Sequence, residues 1–209
     1  MDDVPFTGSA PHADPAQWDR LVEAVGPDGV LVAIARMMGP LVRGTCQPED
    51  VWQETLICAW RDRDRHRWTS VRDYRSWLLT IARNRVTDIA RAASAEKRGG
   101  GTAPVGFGDL APPTDGSVSD LFPAGSVTPS RIASHREGAV LMLAALDTLP
   151  PDLEPVVRRH LFDETPMATI AADLGIAEAT AWYRLRKGTE LYARKLDTLR
   201  SVSRAAPGA

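Results

Sequence analysis

Cysteine is scarce in this chain: there are two in 209 residues, Cys46 and Cys58, and they form no CxxC pattern. The expectation is a pair of buried thiols in a reducing cytoplasm, with neither a disulfide nor a metal role. The four histidines, His12, His66, His135 and His160, are scattered and suggest no ligand set. No uninterrupted apolar run approaches the roughly 18 residues that span a membrane. The acidic start Met1-Asp2-Asp3-Val4-Pro5 lacks the apolar core of a secretory signal. No alternating strand pattern of useful length and no Asn-Gly hairpin pair occurs, so the class expected is all-α. A cytoplasmic protein without membrane insertion, metal or cofactor follows as the expectation.

What is present has ordinary proportions, 44% hydrophobic and 25% charged residues, as in a globular protein. The length allows one or two domains with their own cores. A net charge of -2 argues against a protein that simply coats nucleic acid. Its distribution is more telling. Residues 1–14 contribute -3, residues 15–98 contribute +3, residues 99–137 contribute -2, and residues 138–209 are neutral. Inside that neutral segment, residues 178–204 hold seven Lys or Arg against three acids. Such a local concentration suits a specific reader of nucleic acid, although a solvated helix face has the same composition.

Composition breaks at Gly99. From there to Ser130 the chain has seven glycines and five prolines, few large apolar residues and no helical period. A segment of that kind cannot bury enough surface to offset its ordering entropy, so it is read as a flexible linker between two small helical domains. The boundaries are a disordered tail over 1–14, a first domain over 15–98, the linker over 99–137, a second domain over 138–200 and a C-terminal tail over 201–209.

In the first domain, Trp18, Leu21, Val22 and Val25 make one apolar stripe, and Val30, Leu31, Ile34, Ala35 and Met38 a second. A third helix begins at Pro48, a favoured first-turn residue, with Glu49 and Asp50 complementing the helix dipole. Its apolar residues Val51, Leu56, Ala59 and Trp60 leave Asp50, Gln53, Glu54 and Arg61 outside. A basic connection leads to a fourth helix over about 74–92. There Trp77, Leu78, Ile81, Ala82, Val86 and Ile89 point inward, while Arg83, Asn84, Thr87 and Arg91 face the other way. The second domain has a helix through Val140, Leu143, Ala144, Leu146 and Leu149, and another over 152–161. A third is expected with Thr165 as N-cap and Pro166 at its first position, and a last over 178–199.

The stretch from Ile170 to Lys187 is the most distinctive. A short apolar-faced helix runs into Gly175, an expected left-handed terminator. The helix that follows carries aromatics and cations on its outer face. This is the sequence form of a helix-turn-helix, whose second helix enters the DNA major groove.

Three blocks in order resemble bacterial RNA polymerase sigma factors of the extracytoplasmic-function (ECF) type. The block Pro48-Glu49-Asp50-Val51-Trp52-Gln53-Glu54 through Trp60 is similar to the family's region 2 docking helix. Tyr74-Arg75-Ser76-Trp77-Leu78-Leu79-Thr80-Ile81-Ala82-Arg83-Asn84 is similar to its promoter-melting helix. Leu149-Pro150-Pro151 and the helix-turn-helix are similar to region 4. The resemblance implies that Asp50, Gln53 and Glu54 dock on the clamp helices of the polymerase β′ subunit. Arg67, Trp68, Arg72, Arg83, Asn84, Thr87 and Arg91 would serve the promoter −10 element, receiving extruded bases and holding phosphates. Tyr74 and Trp77 are read as core rather than contact. The −35 element would be read by Thr180, Trp182, Tyr183, Arg184, Arg186 and Lys187. The further partners implied are the polymerase β flap and an anti-sigma factor. The loop Trp68-Thr69-Ser70-Val71-Arg72-Asp73 departs from the family, and Trp182-Tyr183 stands where small or charged residues are common.

Rival readings remain. An operator-binding helix-turn-helix regulator would share the C-terminal pattern without needing the Asp50 or Trp77 helices. An all-α enzyme built on His66 or His160 lacks a nucleophile or metal motif. A scaffold using the exposed aromatics explains less of the chain.

Overall fold

The computed structural model describes residues 15–66, 68–97 and 129–205. Arg67, the tails over 1–14 and 206–209, and the expected linker from 99 to 128 lie outside the described residues. Among those described the chain is all-α, with nine helices, one 3-10 turn and no strand. It divides into two compact units, Met1–His135 and Arg136–Ala209.

The first unit contains α1 (Pro15–Ala24), α2 (Pro27–Met37), α3 (Pro40–Arg43), α4 (Pro48–Asp62), a 3-10 turn (Arg63–Arg65) and α5 (Val71–Lys97). Each of the first four helices starts on proline, whose fixed φ suits a first turn and whose missing N–H is no loss there. Gly26, at φ 69°, turns the chain between α1 and α2 in a conformation that favours glycine. Val30, Leu31, Val32, Ala33 and Ile34 are all 2% exposed or less, so α2 is buried on every side and forms the centre of the unit. It packs on α4 and α5, which pack on each other, while the short α3 leans on α5. Trp52 and Thr55 join the expected Val51, Leu56 and Ala59 in the α4 core, whereas Trp60 is only half-buried.

Helix α5 starts at Val71, three residues before the expected start near Tyr74. Side-chain capping moves the boundary. The Ser70 hydroxyl accepts the Asp73 N–H at 3.1 Å, and the Asp73 carboxylate accepts the Thr69 N–H at 3.3 Å and the Thr69 hydroxyl. Half of the stretch read as a loop is therefore helix.

The second unit takes in most of α6 (Pro129–Asp147), with α7 (Glu154–Leu161), α8 (Met167–Leu174) and α9 (Glu178–Ala205). Residues 129–137, counted by composition with the linker, are helical. The glycine-rich stretch has ended by then, and Pro129 is a residue type suited to a first turn. Helices α7, α8 and α9 pack against one another. Ala181, Leu185, Gly188, Tyr192 and Leu196 make the buried stripe of α9 at helical spacing. Gly175 ends α8 at φ 63°, and the Ile176 N–H reaches the Ala171 carbonyl at 3.0 Å in a left-handed cap. The start of α8 differs from expectation by one residue. Pro166 is extended and sits at the cap, its carbonyl taking the Ile170 N–H at 3.0 Å. Thr165 lies outside the helix, its N–H bonded to the Arg159 carbonyl at 2.8 Å.

Candidate docking and nucleic-acid interfaces

On α4, Asp50 is exposed and Gln53 half-buried. The Asp50 carboxylate accepts the Gln47 N–H at 2.8 Å, which caps the helix start and fixes the side chain at the surface. Glu54 does not stand free beside them. Its carboxylate takes two hydrogen bonds from the Arg85 guanidinium of α5, one of them 3.0 Å long, and both side chains are about three-quarters covered. The partnership with Glu54 raises the already high pKa of Arg85. The three residues share one stretch of helix, but Glu54 is taken up by Arg85, whereas Asp50 is exposed with one carboxylate oxygen in the helix cap and Gln53 is half-buried.

Beyond α4, an aromatic cluster runs from the core to the surface. Trp18 lies edge-on to Trp60 at 5.1 Å and to Tyr74 at 5.5 Å between ring centroids. Tyr74 meets Trp68 at 4.8 Å, Trp68 meets Trp77 at 4.9 Å, and Trp77 meets His66 at 4.6 Å. Tyr74 is fully buried, and burial lifts its hydroxyl pKa well above the usual value. Trp77 and Trp68 are half-buried, so each offers part of a ring to the surface.

The outer face of α5 is a polar stripe. Arg72, Arg83, Asn84, Thr87 and Arg91 are all exposed. The Thr87 hydroxyl donates to the Arg83 carbonyl at 2.9 Å, and Arg91 pairs with Asp88 at 3.3 Å on the same face. Arg67, expected with this set, is outside the described residues.

In the second unit, Thr180, Trp182, Tyr183, Arg186 and Lys187 are exposed on the first turns of α9, with Trp182 49% and Tyr183 55% accessible. The Arg186 guanidinium lies 5.9 Å from the centre of the Tyr183 ring. Arg184 is the exception. It is half-buried and turns toward Asp152 in the α6–α7 turn, 3.9 Å away. Its helical position is on the border of the outer arc, and only the placement of α7 and its preceding turn decides which way the side chain goes.

Two features escaped the sequence reading. Arg85 has no local pattern that marks it as the partner of Glu54, 31 positions away. Gly188 sits where α9 crosses α7: a β-carbon there would collide with Val157 Cγ2 and come within 3.4 Å of Leu153 Cβ. Mid-helix glycine is locally unfavourable, which was the one available signal.

Both cysteines are free thiols, and burial raises the pKa of each. Among the described residues no group of three or more His, Cys, Asp or Glu could hold a metal ion, and no helix is long and apolar enough to cross a membrane.

Residues 29–96, which cover α2 to α5 almost entirely, match the family model for Sigma-70 region 2. The chain is also 34% identical over 145 residues to the ECF RNA polymerase sigma factor SigL of Mycobacterium tuberculosis, in its Erdman and Oshkosh strains alike. That alignment takes in 69% of this chain and 72% of the relative. With its all-α architecture, this likeness across most of both proteins means that the chain belongs to the ECF family of RNA polymerase sigma factors.

Proposed function

We propose that this sigma factor carries core RNA polymerase to promoters by reading two DNA elements and helping to open the first. The exposed Asp50 and half-buried Gln53 on α4 meet the clamp helices of the β′ subunit, with Glu54 backing them through Arg85. The α5 stripe of Arg72, Arg83, Asn84, Thr87 and Arg91, with Arg67 and Trp68 before it, serves the −10 element. Arginines neutralise phosphates there, and Asn84 and the Trp68 ring receive bases as they leave the stack. The outer residues of α9, Thr180, Trp182, Tyr183, Arg186 and Lys187, read the −35 element in the major groove, and the second unit rests on the β flap. Arg184, at the border of this arc and paired with Asp152, adds positive charge beside the groove. The domain boundaries proposed are 15–98 for region 2 and 138–200 for region 4, with 99–137 as the connection. An anti-sigma factor is a further partner. The protein works in the cytoplasm and catalyses nothing itself.

The observation that carries this reading is the exposed stripe on α5 beside the aromatic cluster, where three arginines able to hold phosphates and Asn84 lie close to half-buried indole rings able to stack on unpaired bases. Run-off transcription with core polymerase on a genomic promoter library, with sequencing of the start sites, tests it. The expected result is a new set of starts sharing two upstream elements, dependent on the full chain. DNA binding without initiation would make the protein an operator-binding regulator instead.

A further inference from the structure

Trp182 is held from two sides. Its indole Nε1–H donates to the Glu178 carboxylate one turn earlier on α9, at 3.3 Å. Its ring meets the His160 imidazole of α7 edge-on, with centroids 5.6 Å apart and planes at 71°. The side chain is nonetheless 49% exposed on the outward side of α9, with Arg186 one turn further along. An indole has one polar group, and here that group is committed to Glu178. What Trp182 presents outward is therefore carbon.

The major groove offers acceptors and donors on every base pair, but only thymine adds an apolar group, its C5-methyl. A ring without a free donor gains nothing from the acceptors of guanine or adenine and has contact area to gain from that methyl. We infer that Trp182 selects thymine at one position of the −35 element through the methyl group, with Glu178 and His160 as positioning residues that fix the ring. The inference rests on α9 being the −35 reader. Arg186, one turn on, supplies a polar contact at a neighbouring position, while Trp182 distinguishes a base by shape and apolarity alone. Holding the ring in one rotamer before binding spares the entropy of ordering it on the DNA.

The test uses holoenzyme reconstituted from the full chain and core polymerase, on a promoter mapped by run-off transcription. Each thymine of the −35 element is replaced singly by uracil, which removes the methyl and leaves every hydrogen-bonding group in place. One position is expected to lose affinity by about fourfold, the factor for one buried methyl group. Trp182→Ala is expected to erase the thymine-over-uracil ratio at that position. Glu178→Ala and His160→Ala should reduce the ratio, with helical content unchanged by circular dichroism, while Glu178→Gln, which keeps the acceptor, should retain it. A flat uracil scan overturns the inference. So does a Trp182→Ala variant that weakens all sequences equally with its ratio intact, the behaviour of a sugar contact. Holoenzyme whose affinity is indifferent to deletion of the whole upstream element would overturn the −35 reading itself, a result distinct from a flat scan on an element that is needed.

Discussion

The Arg85 guanidinium clasps the Glu54 carboxylate with two hydrogen bonds, so that α5 is tied to α4 one turn on from Asp50. Both side chains are about three-quarters covered, and water competes weakly for the pair. Removing one partner strands the other charge in that environment. Glu54→Ala is therefore expected to destabilise the first unit by about 1–3 kcal/mol. Gln53→Ala should have a far smaller effect, while Asp50→Ala, which removes the cap on the Gln47 N–H, should cost about 1 kcal/mol. Chemical denaturation of the single variants and of Glu54→Ala with Arg85→Ala closes a double-mutant cycle. Additive losses would show that the two side chains are not coupled.

The stripe on α5 makes two kinds of prediction that salt separates. On the proposed reading, Arg83→Ala removes a phosphate contact. It should weaken promoter binding on all sequences and lower the slope of log affinity against log salt by about 1. Asn84→Ala removes a group suited to a base edge, so it should relax preference at one −10 position and leave the slope alone. Filter binding of holoenzyme over a salt series, with wild-type and substituted −10 elements, reads both. Identical salt slopes for Arg83→Ala and wild type would count against the phosphate role.

Gly188 is expected to tolerate no side chain. Its absent β-carbon is the space that Val157 Cγ2 occupies, and Leu153 lies behind. Gly188→Ala gains helix propensity yet must push α7 and α9 apart in a packed core. The collision should dominate, with a net loss of about 1–3 kcal/mol. A thermal melt of the variant checks this. A raised melting temperature would mean that the α7–α9 contact opens without cost.

His135, within the first unit, makes a stability prediction with a definite sign. Its Nδ1 lies 2.6 Å from the Asp28 carboxylate and its Nε2 3.4 Å from that of Glu23, which also pairs with Arg131 at 3.0 Å. The hydrogen bond to Asp28 raises the imidazole pKa above 6.5, against a smaller opposing effect of burial. A group raised on folding contributes stability that is fully present below its unfolded pKa. That contribution is lost as pH rises through the higher, folded value. The first unit should thus lose part of its stability on going from mildly acidic to mildly alkaline pH, and Asp28→Asn should flatten that dependence. Proton NMR titration of the His135 ring, with melts across the same range, tests it. A titration midpoint below that of a free histidine would contradict the assignment.

Much of this was legible locally. Periodicity marks the apolar faces of α4, α5 and α9, prolines mark helix starts, and Gly175 marks the turn before α9, because each depends on residues within a turn or two. The three ordered blocks carried the family resemblance for the same reason, since each is a short contiguous run. The Ser70 and Asp73 cap is equally local, a Ser followed three residues on by an acid at a helix start.

What sequence alone determined, then, is the class of structure, the arcs of α5 and α9 that face outward, and the candidate residues on them. Tertiary structure decided which of those residues are free to act. Glu54 is drawn to Arg85 from 31 positions away, Arg184 turns toward Asp152, and Trp182 is braced by His160 on α7. Helical periodicity sets the direction in which a side chain leaves its own helix. Only the packing of another helix determines what it meets, and that meeting decides whether a charge or a ring is left for a partner.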